Sequence, residues 1–159
     1  MTGLEVRDAT TADWVLWRDL RLRALQEAPG AYGSTYDRET AFIESDWTGR
    51  LDGSAGPAVL AFRGGAPIGM GAGFRDLPGW LHVVAMWTDP AHRGGGVGTA
   101  VLAHLAGWAA ARDLRIHLDV ALANPGARAV YERAGFVTTG ETRPLRDGST
   151  DLMERLVLP

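Results

Sequence analysis

A glycine-rich run between residues 86 and 99 carries the clearest chemical signal in the sequence. An apolar stretch leads into Gly94, Gly95, Gly96 and Gly98, which fill four of five positions before a helix-forming segment. The first amides of a helix have no partner inside it and carry partial positive charge, so an anion such as pyrophosphate is stabilised there. A tight turn alone needs only one or two glycines with positive φ. The pattern therefore predicts an anion-binding turn.

Several other reaction classes do not fit the composition. A dinucleotide motif G-x-G-x-x-G starting at Gly94 would need glycine where Thr99 stands. All 16 residues in the Lys+Arg count are Arg, which excludes a P-loop lysine and a Schiff-base lysine. The chain has no Cys and no serine in a G-x-S-x-G turn, so thiolate and serine-hydrolase chemistry are excluded as well.

A tyrosine near the end of the chain is a candidate proton donor. Asn124 and Pro125 suit the N-cap and first position of a helix, and Gly135 suits its end. Tyr131 follows Asn124 by seven residues, or two helical turns, so both side chains can face one groove. A phenol can act as a general acid, although helix tyrosines also commonly pack their rings and leave the hydroxyl in water.

The histidines predict proton transfer more readily than metal binding. His82 lies in an apolar stretch typical of a strand, and its ordinary pKa suits a general base, although a strand histidine can equally be merely exposed or hydrogen-bonded. His92, His104 and His117 lie too far apart in the sequence for a recognisable ligand spacing. Without Cys, a structural zinc site lacks support, and we predict no metal site.

Periodicity and turn residues predict the elements that position these groups. A first strand holds Leu4 and Val6, and the Thr10-x-x-Asp13 capping box starts a helix that ends at Pro29-Gly30. The later elements predicted are a helix over 37–51, a hairpin of 59–62 and 68–74, a strand over 80–88, a helix over 98–112, a strand over 116–120, a helix over 124–135 and strands over 136–141 and 151–158.

Two motifs together resemble one enzyme family. Arg93-x-x-Gly96-x-Gly98 matches the acyl-CoA signature R/Q-x-x-G-x-G/A of the Gcn5-related N-acetyltransferase (GNAT) family. The segment 124–136 resembles the family's second motif, in which Asn-x-x-Ala precedes Tyr and closes on Gly-Phe. The order of elements is similar across nearly the whole chain. The resemblance implies one α/β domain over residues 1–159, with a mixed, mostly antiparallel sheet, a splayed central strand pair and flanking helices.

The resemblance also implies an activity and a cosubstrate. The expected enzyme moves an acetyl group from acetyl-CoA to a primary amine of a small molecule or peptide by direct attack. The resemblance implies that the pantetheine arm of the donor lies beside Met86, Trp87 and Thr88, with Asn124 nearby. It implies that the pyrophosphate is bound by the amides of Gly94, Gly95, Gly96, Val97 and Gly98 and by the Thr99 hydroxyl, after the signature residue Arg93. A domain that binds acyl-CoA without turnover is the alternative.

The catalytic roles follow from the same resemblance. Tyr131 is expected near the thioester sulfur, where it protonates the departing thiolate. His82 stands where many members carry a Glu, so the base is either His82, water or one of the carboxylates Glu39, Glu44 and Asp76. On an ideal strand, His82, Val84 and Met86 share one face unless a bulge intervenes. A backbone amide near Met86 or Trp87 is the expected oxyanion donor.

Partners and location are predicted from charge and hydropathy. A net charge of −3 without a basic tract argues against nucleic acid, and the longest apolar stretch, 101–111, is too short for a bilayer. The start of the sequence lacks the pattern of a secretory signal, and we expect a cytoplasmic protein. Family members often pair, so a homodimer is possible, with Trp47 and Trp80 as exposed-looking aromatics.

Overall fold

A seven-stranded sheet organises the chain in a computed structural model that describes residues 3–159. The strands and helices of this range are β1 (Leu4–Asp8), α1 (Trp14–Glu27), α2 (Tyr36–Thr40), α3 (Glu44–Gly49), β2 (Ala58–Arg63), β3 (Ala66–Phe74), β4 (Trp80–Thr88), α4 (Val97–Ala110), β5 (Arg115–Ala121), α5 (Pro125–Arg133), β6 (Val137–Pro144) and β7 (Leu152–Leu158). Every helix in residues 3–159 is too short or too polar to cross a membrane.

The sheet is mostly antiparallel with one parallel pair at its centre. The strand order is β1-β2-β3-β4-β5-β7-β6, and among these described strands β4 and β5 alone run parallel. A parallel pair needs a crossover connection, which α4 supplies between the two strands. The single-domain mixed α/β fold predicted from the sequence is confirmed.

Glycines on β3 bring α4 close to the sheet. A Cβ on Gly69 would lie 2.8 Å from Val97 Cγ1, and one on Gly71 would lie 2.6 Å from Val101 Cγ1. Both distances are too short for a real contact, so only glycine permits this approach. Because Val97 opens α4, the packing holds the start of that helix, and the glycine turn before it, firmly over the sheet.

The other face of the sheet is covered by α1, with α3 packed beside it. Trp17, Leu20 and Ala24 of α1 are buried on this face, as their helical spacing predicts. The capping box at the start of the first helix is confirmed, because the Thr10 amide donates to the Asp13 carboxylate at 2.8 Å.

Two predictions about the segment after α1 were wrong. The helix predicted over 37–51 is divided into α2 and α3, because Ile43 is extended and its amide donates to the Asp46 carboxylate at 2.9 Å, which starts a new helix. Trp47, expected to be exposed, is 1% exposed in the core beneath α1. It therefore provides no interface signal.

Candidate functional site

The central parallel strand pair opens along its length. Residues Trp80–Val83 of β4 pair with Arg115–Leu118 of β5, and the pairing stops there. From this point β4 continues beside β3, whereas β5 continues beside β7 up to Ala121. The unpaired edges diverge into an opening beside the glycine turn. This is the splayed pair that the family resemblance implied.

A bulge in β4 lies at the opening. The register with β3 passes from Met70↔Trp87 to Ala72↔Val84, so β4 carries one extra residue there. Ala85 adopts φ +56°, a conformation that costs a non-glycine residue about 1 kcal/mol or more. The bulge breaks the strand alternation, so the ideal-strand expectation that Met86 shares a face with His82 was wrong. Bulges and strained residues are frequent beside active sites, so this position is a candidate functional feature.

The three β4 residues expected at the pantetheine arm point in alternate directions. Met86 is partly buried and packs against the core beneath α4. The Thr88 hydroxyl lies on the same side, since its Oγ1 is 3.9 Å from the position that a Cβ on Gly98 would take. The Trp87 ring is buried on the opposite face beneath α1, with the Arg23 guanidinium 5.1 Å from its centroid. Met86 and Thr88 thus face the opening, and Trp87 can contribute only its backbone.

The glycine turn presents free amides at the start of α4. Gly94 has φ +82° and Gly96 has φ +84°, values that favour glycine. Among the described residues, none accepts a hydrogen bond from any amide from Gly94 to Thr99. Unpartnered amides therefore lie where the sequence predicts an anion site, at the start of a helix long enough for its dipole to contribute.

Two arginines flank this turn in different ways. Arg93 Nε donates to the Thr88 carbonyl oxygen at 3.0 Å, and its guanidinium also pairs with Glu27 of α1. Arg93 therefore fastens the turn to its surroundings. Arg63, which sequence reasoning assigned only to a hairpin, places Nη1 3.4 Å from the position of a Cβ on Gly95. No described carboxylate pairs with Arg63, so its charge is free to meet an anion at the turn.

Helix α5 closes the other side of the opening. The Asn124 carboxamide oxygen accepts from the Ala127 amide at 3.2 Å, as predicted for an N-cap, and its amino group stays free to donate. Tyr131 is 9% exposed and packs beside Phe136 with ring centroids 6.0 Å apart. Burial raises the pKa of Tyr131 to about 12, so the phenol keeps its proton at neutral pH.

A second tyrosine, which sequence reasoning placed in a loop without a role, reaches the bulge. The Tyr32 hydroxyl donates to the Met86 carbonyl oxygen at 2.9 Å. Burial raises its pKa well above the ordinary value, which keeps it a donor. The Arg146 guanidinium donates to the Tyr32 carbonyl oxygen at 2.8 Å, so the segment after α1 is held against both β4 and the β6–β7 connection. The sequence offered one signal for this contact, because Tyr32 is a large aromatic residue in a loop of otherwise small residues.

His82 lies in an ionic cluster on the α1 face of the sheet. Its Nδ1 is 3.2 Å from Asp76 Oδ2 and 3.4 Å from Arg155 Nη2. His117 Nε2 is 2.8 Å from the same Asp76 oxygen, and Asp119 accepts from Arg155 at 3.0 and 3.1 Å. The polar cluster therefore joins β4, β5, β7 and the loop before β4.

The cluster sets the charge states of its members. Burial lowers the pKa of His82 below its ordinary 6.5, and the Asp119 carboxylate only partly offsets this. Burial likewise lowers the pKa of His117. Burial works in the opposite direction on Asp119, but hydrogen bonding from Arg155 leaves the pKa of that carboxyl below its usual value. At neutral pH the two imidazoles are therefore neutral beside charged carboxylates.

A pocket of about 300 Å³ adjoins this cluster. It is lined by Asp119, Glu141, Thr142, Arg143 and Arg155. Arg143 is half-exposed and pairs with the Asp119 carboxylate, which it shares with Arg155. The two guanidiniums and two carboxylates balance in charge, so the lining selects strongly for neither a cation nor an anion.

The other carboxylates considered as bases lie elsewhere. Glu39 is fully buried between two arginines: Arg21 donates to it twice at 3.1 Å, and Arg50 donates at 2.9 Å. Burial alone would raise the pKa of Glu39, but hydrogen bonding and the charges of the two arginines lower it to about 2. A carboxylate held so firmly in its ionised form is a poor proton acceptor. Glu44 lies in the first turn of α3, on the exposed side of that helix.

Comparison with known proteins agrees with this geometry. The family model described as the acetyltransferase (GNAT) family matches residues 14–136, which includes the glycine turn and α5. This chain belongs to the GNAT family. The fold of the acetyltransferase of GNAT family from Streptococcus pneumoniae is similar, with a TM-score of 0.79 and 19% identity over 99% of this chain and 100% of that one. A comparison with curated proteins gave no match.

Two further solved structures share the fold of this GNAT chain. The protein yncA from Salmonella typhimurium, solved with its cofactor acetyl-CoA, has a TM-score of 0.78 and 16% identity over 98% of this chain and 93% of that one. The aminoglycoside N-acetyltransferase AAC(6')-Iy, solved in complex with CoA, has a TM-score of 0.72 and 19% identity over 89% of this chain and 92% of that one.

Proposed function

We propose that this chain is an N-acetyltransferase that moves the acetyl group of acetyl-CoA to a primary amine of a small molecule or peptide. The observation that carries the proposal is the opening between β4 and β5, which lies between unpartnered amides at the glycine turn and a protonated Tyr131. The family membership of the chain supports the same activity. Acetyl-CoA is the acyl donor, whose thioester supplies a carbonyl carbon that an amine can attack.

The donor site can hold the parts of such a molecule. In this proposal the amides from Gly94 to Gly98 and the Thr99 hydroxyl bind the pyrophosphate, and Arg63 adds a positive charge. Asn124 donates its free amino group to the pantetheine, whose amides lie along the unpaired edge of β4 from Met86 to Thr88. The edge of a strand that lacks a neighbouring strand is suited to this kind of pairing. Tyr32 and Arg93 already donate to the Met86 and Thr88 carbonyl oxygens, so the pantetheine pairs with the amides of this edge or displaces those side chains.

Tyr131 acts as the general acid. When the carbon–sulfur bond breaks, its hydroxyl proton passes to the departing thiolate, and the phenolate recovers a proton from solvent or from the acceptor amine. Its side chain already keeps its proton at neutral pH. No covalent bond to the enzyme is needed, because the amine attacks the carbonyl directly.

His82 accepts the proton that the amine must lose, directly or through water. Alkyl amines are mostly protonated near neutral pH, as the ordinary lysine pKa of about 10.4 illustrates, so a base is required. The neutral state of His82 at pH 7 supports this role. The bulge at Ala85 supports an oxyanion site formed by the amide of Met86 or Trp87, since a bulge interrupts the ladder there.

The first experiment is a calorimetric titration with acetyl-CoA, followed by an assay of thiol release with a panel of small amines, amino acids and peptides. Saturable binding with amine-dependent release supports the proposal. Binding without release for every acceptor favours the acyl-CoA-binding domain without turnover. Absence of binding contradicts the assignment of the glycine turn as the donor site.

A further inference from the structure

The Asp76, His82 and His117 side chains converge on one point beneath the β4–β5 pair. Their ligand atoms all lie within 4.8 Å of one another. Asp76 Oδ2 is 3.2 Å from His82 Nδ1 and 2.8 Å from His117 Nε2. In a tetrahedral zinc site with bonds of about 2.0–2.1 Å, neighbouring ligand atoms lie about 3.3 Å apart. The two separations from Asp76 lie near this value, and the whole set of ligand atoms spans no more than 4.8 Å, so small side-chain movements would bring it to tetrahedral spacing.

The environment holds these ligand atoms in place. The His82 ring stacks on Phe74 at 5.2 Å, and the His117 ring stacks on Trp80 at 4.8 Å. Both imidazoles are buried, whereas the Asp76 side chain is 18% exposed on the loop before β4 and offers a path for an ion. Rings fixed by packing lose little freedom when they bind a metal.

A second carboxylate completes the arrangement around His82. Asp119 Oδ2 lies 3.7 Å from His82 Nε2, the nitrogen that faces away from Asp76. A metal-binding histidine usually donates its other N–H to a carboxylate, which fixes the tautomer and raises the basicity of the ligand. The 3.7 Å separation is too long for a hydrogen bond and would have to shorten for Asp119 to take this role. Arg155 Nη2 is 3.4 Å from His82 Nδ1. A bound ion would replace this contact, while Arg155 keeps its two contacts with Asp119, a carboxylate that it shares with Arg143.

We infer that Asp76, His82 and His117 form a binding site for a transition-metal ion of the zinc type. Two imidazole nitrogens and one carboxylate oxygen suit Zn²⁺, whereas Ca²⁺ and Mg²⁺ prefer sets made of oxygen. The fourth position would be taken by water. This inference replaces the prediction of no metal site, which considered His92, His104 and His117 and could not bring His82 and Asp76 together.

The site does not depend on the proposed function, but it has a consequence for it. A bound ion occupies the Nδ1 lone pair of His82, so that imidazole can no longer accept a proton there. Zinc should therefore inhibit an enzyme that uses His82 as its base. Direct measurement of metal binding tests the site even if no acceptor amine is known.

The test is a titration of the purified chain with Zn²⁺ in competition with a chromophoric chelator, at neutral pH and without acetyl-CoA. We expect saturable binding of one ion per chain, and a tetrahedral absorption spectrum when Co²⁺ replaces Zn²⁺. His117→Gln keeps a hydrogen-bond donor for Asp76 but loses an imidazole ligand, and should weaken Zn²⁺ binding by about 100-fold or more.

Two variants keep this test decisive. Asp76→Asn on the exposed loop should weaken binding as well, and it answers the question if circular dichroism shows that His117→Gln does not fold. His104→Gln is the matched control, since His104 lies on α4 beside Asp8 and outside the cluster. Failure of the unaltered chain to bind Zn²⁺ would overturn the inference. So would binding that survives both cluster substitutions, or that is lost with His104.

Discussion

The glycine turn and the histidine cluster lie at opposite ends of β4 and are built on different principles. The turn is a run of neighbouring residues, Arg93 to Thr99, that acts through backbone amides. The cluster gathers side chains from β4, β5, β7 and a loop, and its contacts join residues up to 73 positions apart in the sequence. Backbone groups depend on local conformation, whereas side-chain clusters depend on the register of the whole sheet.

The two regions therefore tolerate change differently. A substitution at Gly94, Gly95 or Gly96 should disturb donor binding and leave the core intact, because these glycines are exposed. A substitution in the cluster should disturb stability or proton transfer and leave donor binding intact, because His82 and His117 lie in the paired part of β4 and β5, away from the glycine turn. The five predictions below test this separation, from the largest expected effect to the smallest.

Tyr131→Phe should separate chemistry from donor binding most clearly. Loss of the phenolic proton removes a general acid, and we expect kcat to fall by about 100-fold. The ring packing against Phe136 is retained, so the Kd for acetyl-CoA should change little. Steady-state kinetics and calorimetry on the same preparation measure both quantities. An unchanged kcat would remove Tyr131 from the mechanism.

Asp119→Asn tests the structural side of the cluster. The substitution leaves the partly buried Arg155 without its carboxylate, and we expect the free energy of unfolding to fall by about 2 kcal/mol. For a chain of this length the melting temperature should then drop by about 5 °C. Asp19→Asn breaks only the exposed pair with Arg18 and serves as the control, with almost no change in thermal melting. Equal melting temperatures for both variants would contradict the separation.

Gly96→Ala should weaken the donor site through the backbone alone. A Cβ at this position meets no atom within 4 Å, so the penalty is the left-handed conformation, about 1–2 kcal/mol. We expect the Kd for acetyl-CoA to rise by about tenfold. Gly107→Ala is a matched control on α4, where a Cβ also meets no atom and the helical φ suits alanine. That variant should bind acetyl-CoA normally and unfold at a slightly higher temperature.

His82→Gln should alter the pH profile of turnover. Protonated His82 cannot act as a base, so the activity of the unaltered enzyme should fall as pH decreases through the lowered pKa of His82, below 6.5. The variant should lose this fall and show a plateau lower by about tenfold. The measurement compares the rates of the unaltered enzyme and the variant, with one acceptor amine, from pH 5 to 8. An acid limb that persists in the variant would assign it to another group.

Arg63→Gln should have the smallest effect. Its guanidinium is close to the turn but partly exposed, so we expect the Kd for acetyl-CoA to rise only about threefold at low salt. The difference should shrink as the salt concentration rises, since salt screens the attraction. Arg18→Gln, on the opposite face, is the control. A loss of acetyl-CoA affinity that does not depend on salt would indicate a packing role for Arg63.

The elements themselves were largely predictable from the sequence, because their signals are local. The Asn124 cap and the glycine turn stand where the residue pattern predicts them. Failures occurred where a contact overrides a pattern. The Asp46 carboxylate starts a new helix inside a predicted one, and Trp47 is buried although its neighbours in the sequence are polar.

The sequence by itself determined the order of the elements, the glycine turn before α4 and the position of Tyr131 on α5. Each depends on residues a few positions apart, whose φ preferences and helical spacing act locally. The tertiary structure alone decided that Tyr32 reaches the Met86 carbonyl and that Asp76 lies between two histidines. Those contacts join residues separated by up to 54 positions, and they arise only once sheet order, register and the bulge in β4 are set.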